Sequence, residues 1–330
     1  MSLGPEDRLH TWLRQRLRRA GFDRLGDDGA ILPAAGPWAV TQDHQIENVH
    51  FSAELDPRLV ARRLLAVNLS DLAAMGARPA FAFLALSCPP DFDARRFLES
   101  FIAAGQRFGV ELAGGDLARN DKITTVLTLL GTLPPGGDWL TRSNARPDDR
   151  LWLAGAVGLS ALGRCLLESG ARVAARSVDL SAIGELTRRE EQLGRRAVRC
   201  HLAPRPQLEV GWWLGSQQRA AAIDISDGLA IDLRRLCRES RVGALIQVES
   251  LPIPKEFISL CRKVGRPELD LVLGGGEDYA LLFSIPASAS PPRSLRCTPI
   301  GAVTADPRVL MSLGELVRPL PEAGWDHFIL

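Results

Sequence analysis

Six short acidic segments recur along this 330-residue chain, each closing an apolar stretch. They are Gly26-Asp27-Asp28, Thr41-Gln42-Asp43, Ser70-Asp71, Gly114-Gly115-Asp116, Asp224-Ile225-Ser226-Asp227-Gly228 and Gly275-Gly276-Glu277-Asp278. A glycine beside a carboxylate lets backbone and side chain approach a ligand closely. Aspartates that converge from separate loops repel one another unless a divalent cation neutralises them. Magnesium usually takes one or two carboxylates, water and substrate phosphate oxygens, so this many aspartates points to several ions around a nucleoside triphosphate. Any one of the segments alone reads more readily as an Asx turn or a helix cap; the recurrence is what points to a metal.

Asp71 differs from the rest because it falls inside a predicted helix, beside Asn68 and between Leu69 and Leu72. A carboxylate there is either on a solvated face or a ligand, and the apolar surroundings favour a ligand. Gly114-Gly115-Asp116 reads as a tight turn whose N–H groups could cradle a phosphate. His50, in Glu47-Asn48-Val49-His50-Phe51, has the titration range to contact a phosphate or donate a proton, or else packs beside Phe51. Arg142 could clamp a phosphate or simply be solvated, and Trp325 could stack on an aromatic ring or dock the chain end. His10, His44, His201 and His327 have no mutual metal-ligand spacing and read as structural or surface residues. No lysine stands in a GxxxxGK[ST] setting and no GxGxxG occurs, so neither a P-loop nor a standard dinucleotide fold is supported.

These segments must be held by a framework, and the composition allows one. With 46% hydrophobic and 24% charged residues the chain can bury ample apolar surface, and its length suits two domains better than one. Forty basic against 39 acidic side chains leave +1, with no overall field to gather nucleic acid or hold an acidic membrane. No apolar run reaches the roughly 18 residues needed to cross a bilayer, and the N-terminus is charged and amphipathic. Six scattered cysteines without a CxxC fit a reduced compartment, so the expected location is the cytoplasm.

Apolar spacing predicts helices over 8–21, from Pro57 to about Met75, and over 92–109, 159–169, 180–200 and 207–217. Asp56-Pro57 supplies a cap and first-turn pair for the second of these, and Gly76 ends it. Strands are predicted at 38–40, 81–87, 122–130, 151–154, 221–225, 244–248, 279–285 and 298–303. The polar stretch after Leu140 marks a boundary, giving domains 1–145 and 146–330 in a mixed α/β fold.

The ordered set Gly-Asp-Asp-Gly-Ala (26–30), Thr-Gln-Asp (41–43), Glu-Asn-Val-His-Phe (47–51), Ala-Val-Asn-Leu-Ser-Asp-Leu-Ala-Ala-Met-Gly-Ala (66–77), Gly-Gly-Asp (114–116), Thr-Arg-Ser-Asn-Ala (141–145), Ile-Asp-Ile-Ser-Asp-Gly-Leu (223–229), Gly-Gly-Glu-Asp-Tyr (275–279) and Gly-Trp-Asp-His-Phe (324–328) closely resembles the thiamine-monophosphate kinases. That family belongs to the superfamily typified by aminoimidazole ribonucleotide synthetase. The resemblance implies a homodimer whose N-terminal sheets pair into a shared barrel, with a C-terminal α/β domain completing each site. It implies that ATP and thiamine monophosphate give ADP and thiamine diphosphate by direct in-line transfer, with several magnesium ions. By position, Asp28, Thr41, Asp43, Asp71, Asp116, Asp224 and Asp227 match the family's metal ligands. Gly115, Arg142 and Ser226 match its ATP contacts, with Asp116 alongside them, and His50, Glu277 and Trp325 match its substrate contacts.

Two positions depart from the family pattern. Gln42 occupies the place of a further metal ligand that is usually a hydroxyl residue, and Leu117 stands where threonine commonly follows Gly-Gly-Asp. Gln42 alone speaks for a non-catalytic nucleotide-binding relative, against the remaining matched carboxylates. Sister enzymes of the superfamily fit less well: the first cysteine and lysine here are Cys88 and Lys122, and the chain ends Phe328-Ile329-Leu330.

Overall fold

The computed structural model describes residues 30–34, 36–174, 177–217 and 219–326, together with Thr11 and Gln15. The expected helix over 8–21, apart from those two helical residues, lies outside the described residues, as does the candidate ligand Asp28. Among the described residues two large sheets form, each with helices packed on it.

The first sheet holds β1 (Ala30–Ala34), β2 (Gly36–Ile46), β3 (Arg78–Cys88), β4 (Glu111–Arg119) and β5 (Thr124–Thr132), in the order β1-β2-β5-β3-β4. All pairings are antiparallel except β3 with β4, which run parallel. Alternation along β3 and β5 puts Ala82, Leu84, Leu86, Leu127 and Leu129 on one face. Helices α1 (Pro57–Ala74) and α2 (Ala94–Phe108) cover that face, and Leu64, Leu65, Leu69, Leu72, Phe97 and Phe101 complete its core. The other face carries Trp38, Phe81 and Phe83, with Phe83 45% exposed.

Local chemistry sets the ends of α1. The Asp56 carboxylate accepts the Arg58 N–H at 2.9 Å, Pro57 opens the first turn, and Gly76 leaves the helix at φ +69°. Thirteen of its 18 residues are buried, as in a helix covered on nearly all sides. One side meets the first sheet; on another, Gly211 approaches so closely that a Cβ there would sit 2.1 Å from the Ala73 carbonyl oxygen.

The second sheet contains β6 (Arg150–Ala154), β9 (Ala221–Ile225), β10 (Gly243–Gln247), β11 (Ala280–Ile285), β12 (Cys297–Thr304), β13 (Val309–Leu313) and β14 (Leu316–Pro319). Their order is β14-β13-β10-β12-β6-β11-β9, and β7 (Arg172–Ala174) pairs with β8 (Ser177–Asp179) in a separate small hairpin. Around it lie α3 (Leu159–Glu168), α4 (Arg188–Leu202), α5 (Leu208–Gly215), α6 (Leu229–Ser240), α7 (Lys255–Lys263) and α8 (Glu268–Gly274). Strands β9 and β11 are buried throughout, and their sequences read as unbroken apolar runs interrupted only by Asp224 and Ser284.

Two expectations are corrected. Gly114-Gly115-Asp116 is not a tight turn but part of the edge strand β4, held by parallel pairing to β3 with a register shift between Ala82 and Phe83. The helix expected over 180–200 begins later, at Arg188. A reciprocal cap starts it there, with Thr187 accepting the Glu190 N–H and Glu190 accepting the Thr187 N–H.

Candidate active site

Strand alternation on β2 sorts the candidate ligands. Thr41, buried, and Asp43, half-buried, lie on the face toward α1, and the Thr41 hydroxyl donates to Asp71 Oδ2 on that helix. Gln42 points the other way and donates from Nε2 to Thr128 Oγ1 at 2.7 Å. Asp116 is exposed and pairs by register with Ala85, on the same outer face as Gln42. Thr41, Asp43 and Asp71 thus stand apart from Gln42 and Asp116. Leu117, the second departure, is 64% exposed.

Gly115 is dictated by close approach: a Cβ there would fall 1.8 Å from the Leu84 carbonyl oxygen.

Asp224 is buried near the end of β9, where the chain enters the loop Ser226–Gly228. That loop meets the Gly275–Asp278 segment, since Ser226 O accepts the Glu277 N–H at 2.5 Å and Ile225 O accepts the Tyr279 N–H at 2.9 Å. Glu277 and Tyr279 sit at φ +57° and +48°, a left-handed conformation that costs a non-glycine residue about 1–2 kcal/mol and persists only where its surroundings hold it. The Tyr279 hydroxyl is pushed well above its ordinary value, chiefly by burial. Arg63 opposes that shift, while Glu277, Asp43 and Asp224 add to it. The charges of Asp43, Asp224 and Glu277 thus all bear on this tyrosine.

His50 and Glu277 line one cavity of about 600 Å³, together with Phe51, Arg63, His201 and Leu202. The His50 ring is fixed through Nδ1, which accepts the Ile46 N–H at 3.1 Å, and it meets His44 edge-on. Glu277 pairs through Oε1 with Arg63, and its Oε2 lies 3.4 Å from His201 Nδ1. Burial, aided by Arg63 and Arg164, lowers His201 to about 3, so its imidazole is neutral at physiological pH.

The remaining candidates lie elsewhere. Asp227 is paired with Arg235, which also binds buried Asp232 at 2.9 Å, and Arg142 bears on Asp232 through its charge. Arg142 O accepts from Ser240 on α6 at 2.6 Å. Trp325 is 55% exposed, and its N–H reaches Asp227 O at 2.9 Å, outside the cavity of His50 and Glu277. Asp278, beside Glu277, turns away from that cavity and caps α3, accepting the N–H groups of Gly158 at 2.6 Å and Ser160 at 2.9 Å.

Arg63 and His201 are the residues that motif reading passed over. Arg63 precedes the apolar run Leu64-Leu65-Ala66-Val67, but nothing in the sequence separates it from its exposed neighbour Arg62.

The first sheet and the helices that cover it are the part of the chain that falls in the AIR synthase related class. Residues 26–133 match the model of that family, AIR synthase related protein, N-terminal domain. The chain is 36% identical to the thiamine-monophosphate kinase of Escherichia coli (strain K12) over 319 residues, covering 92% of this chain and 91% of that protein. It therefore belongs to the thiamine-monophosphate kinase family. The structure described as AaThiL complexed with AMPPCP and TMP is similar at a TM-score of 0.81 and 28% identity, covering 99% of both chains. That of thiamine-monophosphate kinase from Stenotrophomonas maltophilia K279a is similar at a TM-score of 0.71 and 31% identity, covering 92% of this chain and 96% of that one.

Proposed function

We propose that this chain transfers the terminal phosphoryl group of ATP to thiamine monophosphate, giving ADP and thiamine diphosphate. The observation that carries the reading is the meeting of His50 and Glu277 on one cavity, whose wall Arg63 ties to the helix that carries Asp71. Family membership and the similarity to a structure with AMPPCP and TMP support it.

In this reaction a phosphate oxygen of thiamine monophosphate attacks the terminal phosphorus as the bond to the ADP oxygen breaks. The nucleophile is already an anion, so no strong base is needed and catalysis rests on positioning and on neutralising charge. His50 and Glu277 hold the acceptor. Gly115, Ser226 and Arg142 serve the nucleotide, Trp325 is a further substrate contact by its place in the motif although it stands outside the His50–Glu277 cavity, and 1–145 and 146–330 act as the two halves of the site.

Among the described residues no three His, Cys, Asp or Glu side chains close into a metal cage. The donor set nonetheless suits magnesium, being all oxygen and incomplete without water and phosphate. Thr41, Asp43, Asp71 and Asp224 would hold one ion, and Asp28, Asp227, Gln42 and Asp116 would be donors to further ions, since Gln42 and Asp116 lie on the opposite face of the sheet; the metal would neutralise charge on the transferring group.

The exposed face of the first sheet supports a homodimer. Phe81 and Phe83 stand there 37% and 45% exposed, with Trp38 against Phe81 at a ring distance of 5.8 Å. Gln42 and Asp116 occupy the same face, so pairing would bring them beside the second copy. Six unbridged cysteines support a cytoplasmic location, and among the described residues no helix is long and apolar enough to cross a membrane.

The test is incubation of the purified protein with magnesium, ATP and thiamine monophosphate, followed by mass spectrometry. Equimolar ADP and thiamine diphosphate are expected; ADP without thiamine diphosphate, or neither, overturns the reading.

A further inference from the structure

Arg63 is among the largest fully buried side chains, at 1% exposure. A buried guanidinium is costly unless every donor direction finds an acceptor. Here Nε donates to Gln45 Oε1 at 2.9 Å, Nη1 donates to the His201 carbonyl oxygen and Nη2 donates to Glu277 Oε1. The three acceptors come from three separate elements: β2, the last turn of α4 and the loop before β11. The carbonyl from the last turn of α4 also offers the negative end of that helix to the cation.

Glu277 is thereby anchored through one of its two oxygens. Its Oε1 is committed to Arg63, its Oε2 lies 3.4 Å from His201 Nδ1, and its side chain is 27% exposed on the cavity that His50 lines. His201 Nδ1 is in turn 3.2 Å from Ser160 Oγ, so the imidazole is itself tied down.

We infer that Arg63 is a positioning residue for the acceptor substrate: it fixes the Glu277 carboxylate in the cavity wall and ties that wall to the helix that carries Asp71. The inference rests on the reading of this cavity as the thiamine monophosphate site. A planar fork serves three acceptors at once, whereas a lysine ammonium at the end of a flexible stem can reach Glu277 without reproducing the other two bonds.

Arg63→Met, Arg63→Lys, Glu277→Gln and the Arg63→Met/Glu277→Gln double variant test it, by steady-state kinetics and by crystallography of the ligand-free protein. In Arg63→Met the KM for thiamine monophosphate rises about tenfold or more while the KM for ATP stays within about twofold, and Arg63→Lys recovers part of the loss. The double variant is no worse than Glu277→Gln alone, because both changes remove the same contact. In the Arg63→Met crystal the Glu277 carboxylate leaves its place. Equal rises in both KM values, additive losses, or a Glu277 side chain unmoved in the crystal would overturn the inference. If Arg63→Met does not fold, Arg63→Lys carries the same comparison. If the wild-type protein makes no thiamine diphosphate, the functional reading fails on its own, and the crystallographic comparison still decides whether Arg63 places Glu277.

Discussion

Thr41 donates its hydroxyl hydrogen to Asp71 Oδ2, joining the strand that carries Asp43 to the helix that crosses behind it. The bond ties the Asp71 carboxylate of the helix to the strand. Asp71→Asn keeps an acceptor for Thr41, so the fold should survive while charge is lost from the acidic face. Turnover should drop by about 10²–10³-fold with an unchanged circular dichroism spectrum. Turnover within about twofold of wild type would remove Asp71 from the reaction.

Gly115→Ala is expected to damage β4 and nucleotide binding together. The added methyl would meet the Leu84 carbonyl oxygen at 1.8 Å, in backbone that cannot yield without disturbing the parallel β3–β4 pairing. A loss of about 2–3 kcal/mol in denaturant unfolding is expected, with weaker ATP binding by calorimetry. An unaffected unfolding midpoint would show that the strand relaxes at no cost.

Asp278 gives a pH signature. Burial pushes its carboxyl from 3.8 up to about 7, reinforced by the charge of Glu277 and opposed by the N–H groups of Ser160 and Gly158. The folded form thus holds the proton more tightly than the unfolded chain. Its contribution to stability is complete below pH 3.8 and is lost as pH climbs through about 7. Thermal melts between pH 4 and 8 should show the wild type losing Tm relative to Asp278→Asn as pH rises. Parallel curves would mean that Asp278 is ionised throughout.

Phe83→Glu addresses the exposed sheet face. If two copies meet there, a buried charge at that position should shift sedimentation from dimer to monomer while leaving the monomer folded. Unchanged sedimentation of a dimeric wild type would place the contact elsewhere.

Helix α1 was legible because its signals are local: Asp56-Pro57 starts it and Gly76 ends it, whatever the rest of the chain does. Strand β9 was legible because a run buried on both faces is apolar, here at every position but Asp224. Strand β4 was not, since paired glycines carry no strand preference and only its alignment with β3 makes it extended. The same division holds in the site. His50 and Glu277 lie in recognisable motifs, but Arg63 gains its meaning from His201 and Glu277, 138 and 214 residues further on. The left-handed backbone at Glu277 is likewise a tertiary effect, invisible in a side chain that has no preference for it.

Arg63 and Asp71 share one helix, eight residues and so about 12 Å apart along its axis. Helix α1 is therefore a ruler between the cavity wall at Glu277 and the acidic face at Asp43. Its length is set by covalent geometry rather than by packing, and its phase as well as its span is fixed. One inserted residue between the two would turn Asp71 through about 100° relative to Arg63 and aim it into the core. This stretch should accept conservative replacement of its side chains far more readily than any change in their number.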